Sequence, residues 1–185
     1  MNNQRKLILV DADVLSHFIA CGEVLFLPLI FKPHQIIILD IVYNEIARIH
    51  SRRQFLDQLL GSVKNIKLAA FPFGNLEIKR EYALIRKNNP LIGDGERACM
   101  AVAKYRKDVI ASSNFRDIVP YCRKNGIHYL GTLDILVIAL RKGIFNEDRC
   151  NQFIKTARTV NHARFPVSVV NISDYHPADF SFMDE

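Results

Sequence analysis

LILVDADVLSHF, residues 7–18, begins as a β-branched and aliphatic run and ends abruptly in two carboxylates, Asp11 and Asp13, where a helical pattern takes over. In open α/β sheets, ligands collect outside the carboxyl ends of parallel strands, so an acidic pair at the end of a buried strand is placed to meet a metal or a phosphate. A plainer reading stands beside it. Asp13 also suits the cap of the following helix, whose first backbone N–H groups need a short side-chain acceptor.

Outward from this stretch, strand and helix patterns alternate. Ile36–Leu39 reads as a strand delivering the helix LDIVYNEIARIH, which carries Glu45. The pattern stays helical from Ser51 to Leu60 and is ended by Gly61. Ile66–Phe71 is a further strand, and Asn75 starts an amphipathic helix through about Lys87. LIGDGERACMAVAKYRK then opens a helix with Asp94 and Glu96 in its first turn. Val109–Ala111 is a strand that exits through Ser112, Ser113 and Asn114 into a helix from Phe115 to Lys124, closed by Gly126. Ile127–Leu130 is another strand, Thr132 caps a helix stopping at Gly143, Asn146 caps a last helix through Val160, and Pro166–Ile172 reads as a closing strand. The crossovers are too long for hairpins. The expected fold class is therefore α/β, a central mostly parallel sheet between two helical layers.

The 185 residues suit one domain, placed at 1–173, with an acidic tail at 174–185. Disorder is the default for such a tail, although Phe180 and Phe182 offer it docking points on the body or on a partner. The chain is 49% apolar and 24% charged, as globular domains are. The early apolar stretch Val24–Phe31, with Pro28 inside it, falls far short of the ~20 residues of a membrane span. The start MNNQRKL is followed by an apolar run broken at once by Asp11 and Asp13, unlike a secretory signal, so a cytoplasmic location is expected. Cys21, Cys99, Cys122 and Cys150 show no paired spacing and read as reduced thiols. The 25 Lys and Arg against 19 Asp and Glu leave a charge of +6, which favours polyanionic partners.

Four acidic positions fall at strand ends or in first helical turns: Asp11 with Asp13, Glu45, Asp94 with Glu96, and Asp117. Singly, each has a structural use as a cap, a helix-dipole partner or a solvated helix residue. Jointly, carboxylates converging at one sheet end would repel unless a cation neutralised them. Oxygen donors without a His or Cys set select Mg²⁺ or Mn²⁺ over zinc. His17, His50 and His128 lack metal-like pairing and read as satisfied or solvated.

Two family resemblances follow. DADVLS with the later IGDGE looks like pieces of the haloacid-dehalogenase phosphatases, in which Asp11 would be a nucleophile. The order departs from that family, because Ser112 and Ser113 come after IGDGE and no later acidic pair ends a strand. The second resemblance covers nearly the whole chain: it looks like a PIN domain, the metal-dependent nuclease fold of many VapC-like toxins. LILVDADVL resembles the first strand with its aspartate, DIVYNEI the segment giving the second acid, and IGDGERACMAVA the G-E-x-x-A form of the third. VIASSNFRDI followed by GIHYLGTLDILVIALRKGI resembles the fourth-acid strand and the G-T-x-x-x-L helix of one PIN subgroup.

The PIN resemblance implies a three-layer α/β/α fold and makes Asp11, Glu45 and Glu96 metal-site carboxylates, with Asp117 the fourth. Where the fourth acid often follows its strand directly, this chain has Ser112-Ser113-Asn114, so either Asn114 binds a water of the ion or Asp117 reaches in from three residues later. Asp13 and Asp94 are auxiliary candidates. The implied activity is an Mg²⁺- or Mn²⁺-dependent endoribonuclease, the toxin of a toxin–antitoxin pair, with ion-activated water attacking RNA and Ser113 or Asn114 positioning water or phosphate. An antitoxin partner and a homodimer are implied with it. Arg97 and Arg116 are candidate phosphate clamps. Arg48, Arg52, Arg53, Lys104, Arg106, Lys107, Arg123, Lys124, Arg141 and Lys142 are a pool from which about a third would touch RNA. The different-class alternative is a weakened PIN domain that binds nucleic acid or protein without cutting.

Overall fold

In the computed structural model, which describes residues 6–177 and 179–183, five parallel strands stand in the order β3-β2-β1-β4-β5. They are β1 (Leu7–Val10), β2 (Gln35–Leu39), β3 (Ile66–Ala69), β4 (Val109–Ala111) and β5 (Tyr129–Leu130). The three inner strands are aliphatic almost throughout because both of their faces are covered, the usual composition of a buried parallel strand. Register is direct: Leu9 pairs with Ile37 on one side and Ile110 on the other.

Chain direction across the sheet puts the helices on two faces. From β1 to β3 the chain moves one way and leaves α1 (Ala12–Ala20), α2 (Leu27–Ile30) and α4 (His50–Ser62) on one face, joined later by α8 (Thr132–Arg141) and α9 (Glu147–Val160). It then returns over the top with α5 (Leu76–Asn88) and α6 (Asp94–Arg106), continues to β4, and adds α7 (Phe115–Asn125) on the second face. The short helix α3 (Asp40–Ala47) packs against both α1 and α6, spanning the carboxyl end of the sheet. Strand order reverses between β1 and β4, and that is where a doubly wound sheet opens a crevice. The architecture is the expected three-layer α/β/α arrangement.

Several boundaries differ from the sequence expectations. Pro166–Ile172 forms no strand. Pro166 has no N–H to give a ladder, its carbonyl accepts from Val169 N (3.1 Å) and Arg158 Nη2 (2.7 Å), and Val167 and Val170 are exposed. The segment is an arm of turns ending in a 3₁₀ turn at Ile172–Asp174. Helix α4 continues through Gly61 to Ser62, and α8 is capped by Gly131 rather than Thr132. The stretch containing Pro28 folds into a 3₁₀ turn, Val24–Phe26, and α2, with Pro28 in its first turn where the missing N–H costs nothing.

The described part of the tail is held rather than disordered. Phe180, Phe182 and Met183 are buried at the amino end of the sheet, with Phe182 stacked on His128 at 4.2 Å and Phe180 beneath the Arg141 guanidinium at 4.6 Å. Lys6 Nζ donates to Phe182 O (3.0 Å), and His34 Nε2 lies 2.8 Å from Met183 O. The N-terminal residues 1–5 and Ala178, Asp184 and Glu185 lie outside the described residues. All four cysteines are free thiols, and no described helix is by itself long and apolar enough to cross a membrane.

Phe18 on α1 is fully buried and packs against Phe153 of α9 at 4.7 Å, joining the first helix to the last. Phe18→Ala is expected to cost about 3–5 kcal/mol, the range for truncating a buried aromatic. Urea unfolding followed by circular dichroism measures it.

Candidate active site

Asp11 is the first residue past β1, and its backbone N–H extends the ladder to Ala111 O at 2.9 Å. Its side chain, not that of Asp13, caps α1: Oδ1 accepts from Ala12 N at 2.7 Å. Oδ2 accepts from Ser112 Oγ at 3.2 Å. Ser112 is fully buried at the exit of β4, so the residue standing where a fourth acid was expected instead holds the first one in place. No spacing rule marks that role.

Glu45 reaches the same edge from α3. Its Oε1 accepts from Gly95 N at 2.9 Å, at the opening turn of α6. A Cβ on Gly95 would sit 2.8 Å from Glu45 Oε2 and 3.0 Å from Val42 Cγ2, so any side chain here would displace the Glu45 carboxylate from its present position. One residue on, Glu96 is 5% exposed. Asn114 Nδ2 donates both to Glu96 Oε2 (2.9 Å) and to Asp117 Oδ2 (2.7 Å), tying the first turn of α7 to α6. Asp117 also accepts from Asn89 Nδ2 at 3.3 Å. Both residues of the open choice, Asn114 and Asp117, therefore come to the edge, linked to each other.

The electrostatics bind these groups into one cluster. Burial pushes the Asp11 carboxyl well above its usual value, and the charges of Asp13, Glu96 and Glu45 push it further, against the Ala12 N–H. Asp13 is raised by desolvation and by Glu45. Glu96 is raised to about 7, first by burial and then by Asp13, Asp117 and Glu45, despite the Asn114 hydrogen bond that favours its charged form. Glu96 Oε1 is buried with no hydrogen-bond partner.

These features suit a hard divalent cation. Every donor is a carboxylate or amide oxygen, the acids destabilise one another's charged forms, and one buried oxygen waits for a partner. No three of these groups, among the described residues, close around a single metal-sized point.

Asp94 and Arg97 stand apart from the cluster. Asp94 Oδ1 accepts from Tyr82 OH (2.9 Å) and pairs with Arg97 Nη1 (2.8 Å). The buried Arg97 guanidinium donates from Nε and Nη2 to Ile92 O and lies over Tyr82. At 5% exposure it holds the turn before α6 and is turned inward, unlike the surface phosphate clamp expected from the sequence. Lys104 is similarly spent on Glu81 (2.6 Å), and Lys142 on the carbonyls of Ile30 and Lys32.

Beside the cluster opens a cleft of about 900 Å³. Asp13, Ser113, Asn114 and Asp117 line it together with the arm from Asn161 to Val167. Ser113 Oγ shares a 2.6 Å hydrogen bond with Thr132 Oγ1, which in turn lies 2.9 Å from His17 Nδ1. Burial lowers His17 to about 4, so it is neutral near pH 7. Arg52 lines the cleft as well and fixes the arm, donating to Asn161 Oδ1 (3.0 Å) and Ser16 Oγ (3.3 Å).

No protein-family model and no curated protein matches the sequence. Among solved structures, the chain is similar to the crystal structure of VapBC2 from Rickettsia felis bound to a DNA fragment from their promoter, with a TM-score of 0.50 and 14% identity. The match covers 68% of this chain and 98% of that one. The fold is PIN-like. At so low an identity the likeness concerns the fold, and this chain carries nearly a third of its length beyond the match.

Two outcomes test the site's electrostatics and packing. Between pH 4.5, the ordinary value of a glutamate, and about 7, folded Glu96 keeps a proton that the unfolded chain gives up, so stability falls as pH rises through that window. Glu96→Gln is expected to raise the melting temperature in chelator at pH 8 and to leave it nearly unchanged at pH 4.5. Mn²⁺ should raise that of the unaltered protein at pH 8 only, by calorimetry. Gly95→Ala is expected to cost about 1–3 kcal/mol by overpacking, offset in part by about 1 kcal/mol of helix propensity. Urea titration measures the net loss.

Proposed function

We propose that this chain is a PIN-type endoribonuclease that uses Mg²⁺ or Mn²⁺ to hydrolyse RNA phosphodiesters, acting as the toxin of a type II toxin–antitoxin pair. The observation that carries the reading is the convergence of Asp11, Asp13, Glu45 and Glu96 at the strand-order reversal, with Glu96 Oε1 buried and unpartnered; burial first, and the neighbouring charges after it, raise the Asp11, Asp13 and Glu96 carboxyls. Such a group of acids is costly to a protein that never meets a cation.

Asp11 and Glu96 are the residues that would hold the principal ion, with Glu45 and Asp117 completing its surroundings. A divalent cation bound there supplies charge neutralisation and makes water a better nucleophile. The protein's own groups do the rest. Ser112 and Ala12 N–H aim Asp11, Gly95 N–H aims Glu45, and Asn114 holds Glu96 and Asp117 at a fixed separation. Ser113 presents its hydroxyl at the cleft wall, where it can position a phosphate or a water. No protein nucleophile is needed.

The second reading, a PIN-like domain that binds nucleic acid or protein without cutting, draws on the absence, among the described residues, of any three ligands closed around one point. The two separate on one experiment. The purified protein with Mn²⁺ is expected to cut single-stranded RNA, and Asp11→Asn and Glu96→Gln are each expected to lower the rate by at least about 10²-fold, the scale of losing a catalytic electrostatic group. Binding without any cutting would establish the second reading, and full activity in both variants would sink the first. A toxin is further expected to arrest growth on expression, relieved by its cognate antitoxin protein. The implied homodimer is checked by light scattering.

A further inference from the structure

The cleft has an unusual distribution of charge. Its floor is acidic, with Asp13 and Asp117 at the surface and Asp11 and Glu96 behind them. Two exposed arginines from separate elements line it as well: Arg116, in the first turn of α7, and Arg164, on the arm that follows α9. Neither makes an ion pair or a hydrogen bond among the described residues, although carboxylates line the same cleft. Some arginines are engaged, Arg149 with Glu23, Arg97 with Ile92 O and Arg158 with Pro166 O, while Arg48, Arg80 and Arg123 are exposed and unpaired as well; what distinguishes Arg116 and Arg164 is that both line the cleft. Two uncommitted guanidinium groups facing one cleft match the fork geometry of phosphate oxygens.

Aromatic surface accompanies them. Phe115 follows Asn114 on the α7 side, set edge-on against Tyr129, and Phe165 follows Arg164 on the arm, edge-on against His17. Basic groups interleaved with aromatic faces are the pattern by which proteins hold an unpaired strand, gripping phosphates and offering stacking platforms to bases. The arm is tethered: Arg52 links Asn161 to Ser16 of α1, Arg158 donates to Pro166 O, and Asn151 accepts from Ile172 N at 2.8 Å.

Depth decides between one strand and two. Asp11 and Glu96 are 3% and 5% exposed, so a phosphate has to descend into the cleft to approach them. A single strand can turn one phosphate inward while its bases lie on the walls. A duplex is a stiff rod whose bases are already stacked and paired, and it rests at the cleft's mouth.

We propose that Arg164 on the arm Asn161–Val167 and Arg116 on α7 form a two-point phosphate clamp that admits unpaired RNA to the carboxylate cluster and keeps a duplex out. The clamp rests on the nuclease reading for the nature of the strand and adds the part of the chain that selects it. Arg52 is a positioning residue that sets the distance between the walls.

The test separates binding from cutting. Fluorescence anisotropy is measured in Ca²⁺ with a short labelled oligoribonucleotide lacking self-complementarity, checked to be intact afterwards, and with the same sequence as a duplex. The protein is expected to bind the single strand at least about tenfold more tightly than the duplex. Arg116→Ala and Arg164→Ala are each expected to weaken single-strand binding about five- to tenfold and to flatten its dependence on log salt by about 1, as loss of one phosphate contact does. Arg80→Ala, on the outer face of α5, is the control for general charge, and melting curves confirm that each variant is folded. Unchanged binding by Arg164→Ala, or a duplex held as tightly as the single strand, overturns the clamp. If RNA is bound through Arg164 yet stays uncut in Mn²⁺, the clamp stands and the nuclease reading falls. If Arg164→Ala cuts RNA with an unaltered KM, the reverse holds.

Discussion

Burial of carboxylates where the strand order reverses, sharpened by their mutual repulsion, is the constraint around which the site is arranged. Asp11 arrives on β1, Glu45 on α3 and Glu96 on α6, from three separate crossovers. Each needs a donor to stay in position: Ser112 and Ala12 N–H for Asp11, Gly95 N–H for Glu45, Asn114 for Glu96. The donors are neutral. Hydrogen bonds restrain the acids without supplying a counter-charge, and burial with the neighbouring charges favours the protonated forms of Asp11 and Glu96.

The scaffold supports this tension with ordinary means. Aliphatic strands are covered on both faces, and α3 packs against α1 and α6 across their carboxyl end. Gly95 shows how closely helix and site are joined, since a single added methyl would collide with the side chain its own N–H orients. The opposite edge is closed by Phe180, Phe182 and Met183, so the apolar ends of the strands are covered at the pole remote from the cleft.

Much of this was legible in the sequence, and the reasons are local. Buried parallel strands are aliphatic, and helices begin at Asn75 and Asn146, so LILV, QIIIL and VIA announced a parallel sheet and the crossovers announced its layers. Asp11, Glu45, Glu96 and Asp117 were visible as acids at element ends. What stayed hidden was set by tertiary contact. Nothing in the spacing marks Ser112 as the support of Asp11, or shows Arg97 turning inward to Ile92 O. The arm misled most: Val167, Val169 and Val170 read as a strand, yet they follow Pro166 into turns that bring Arg164 to the cleft. Its role is fixed by where α9 ends.

The row of hydrogen bonds from His17 through Thr132 to Ser113 has its own consequence. Because His17 remains uncharged down to about pH 4, its ring nitrogen Nδ1 either carries a proton or lacks one with no change in net charge. The two hydroxyls can then be oriented in either sense, together. At the cleft Ser113 thus offers a hydrogen to an incoming oxygen or a lone pair to an incoming proton, and the choice passes back along the row to a tautomer 115 residues away in sequence from its Thr132 partner. The wall beside the carboxylates is in this way polar without a fixed polarity, able to accommodate a phosphate oxygen at one moment and a water molecule at the next.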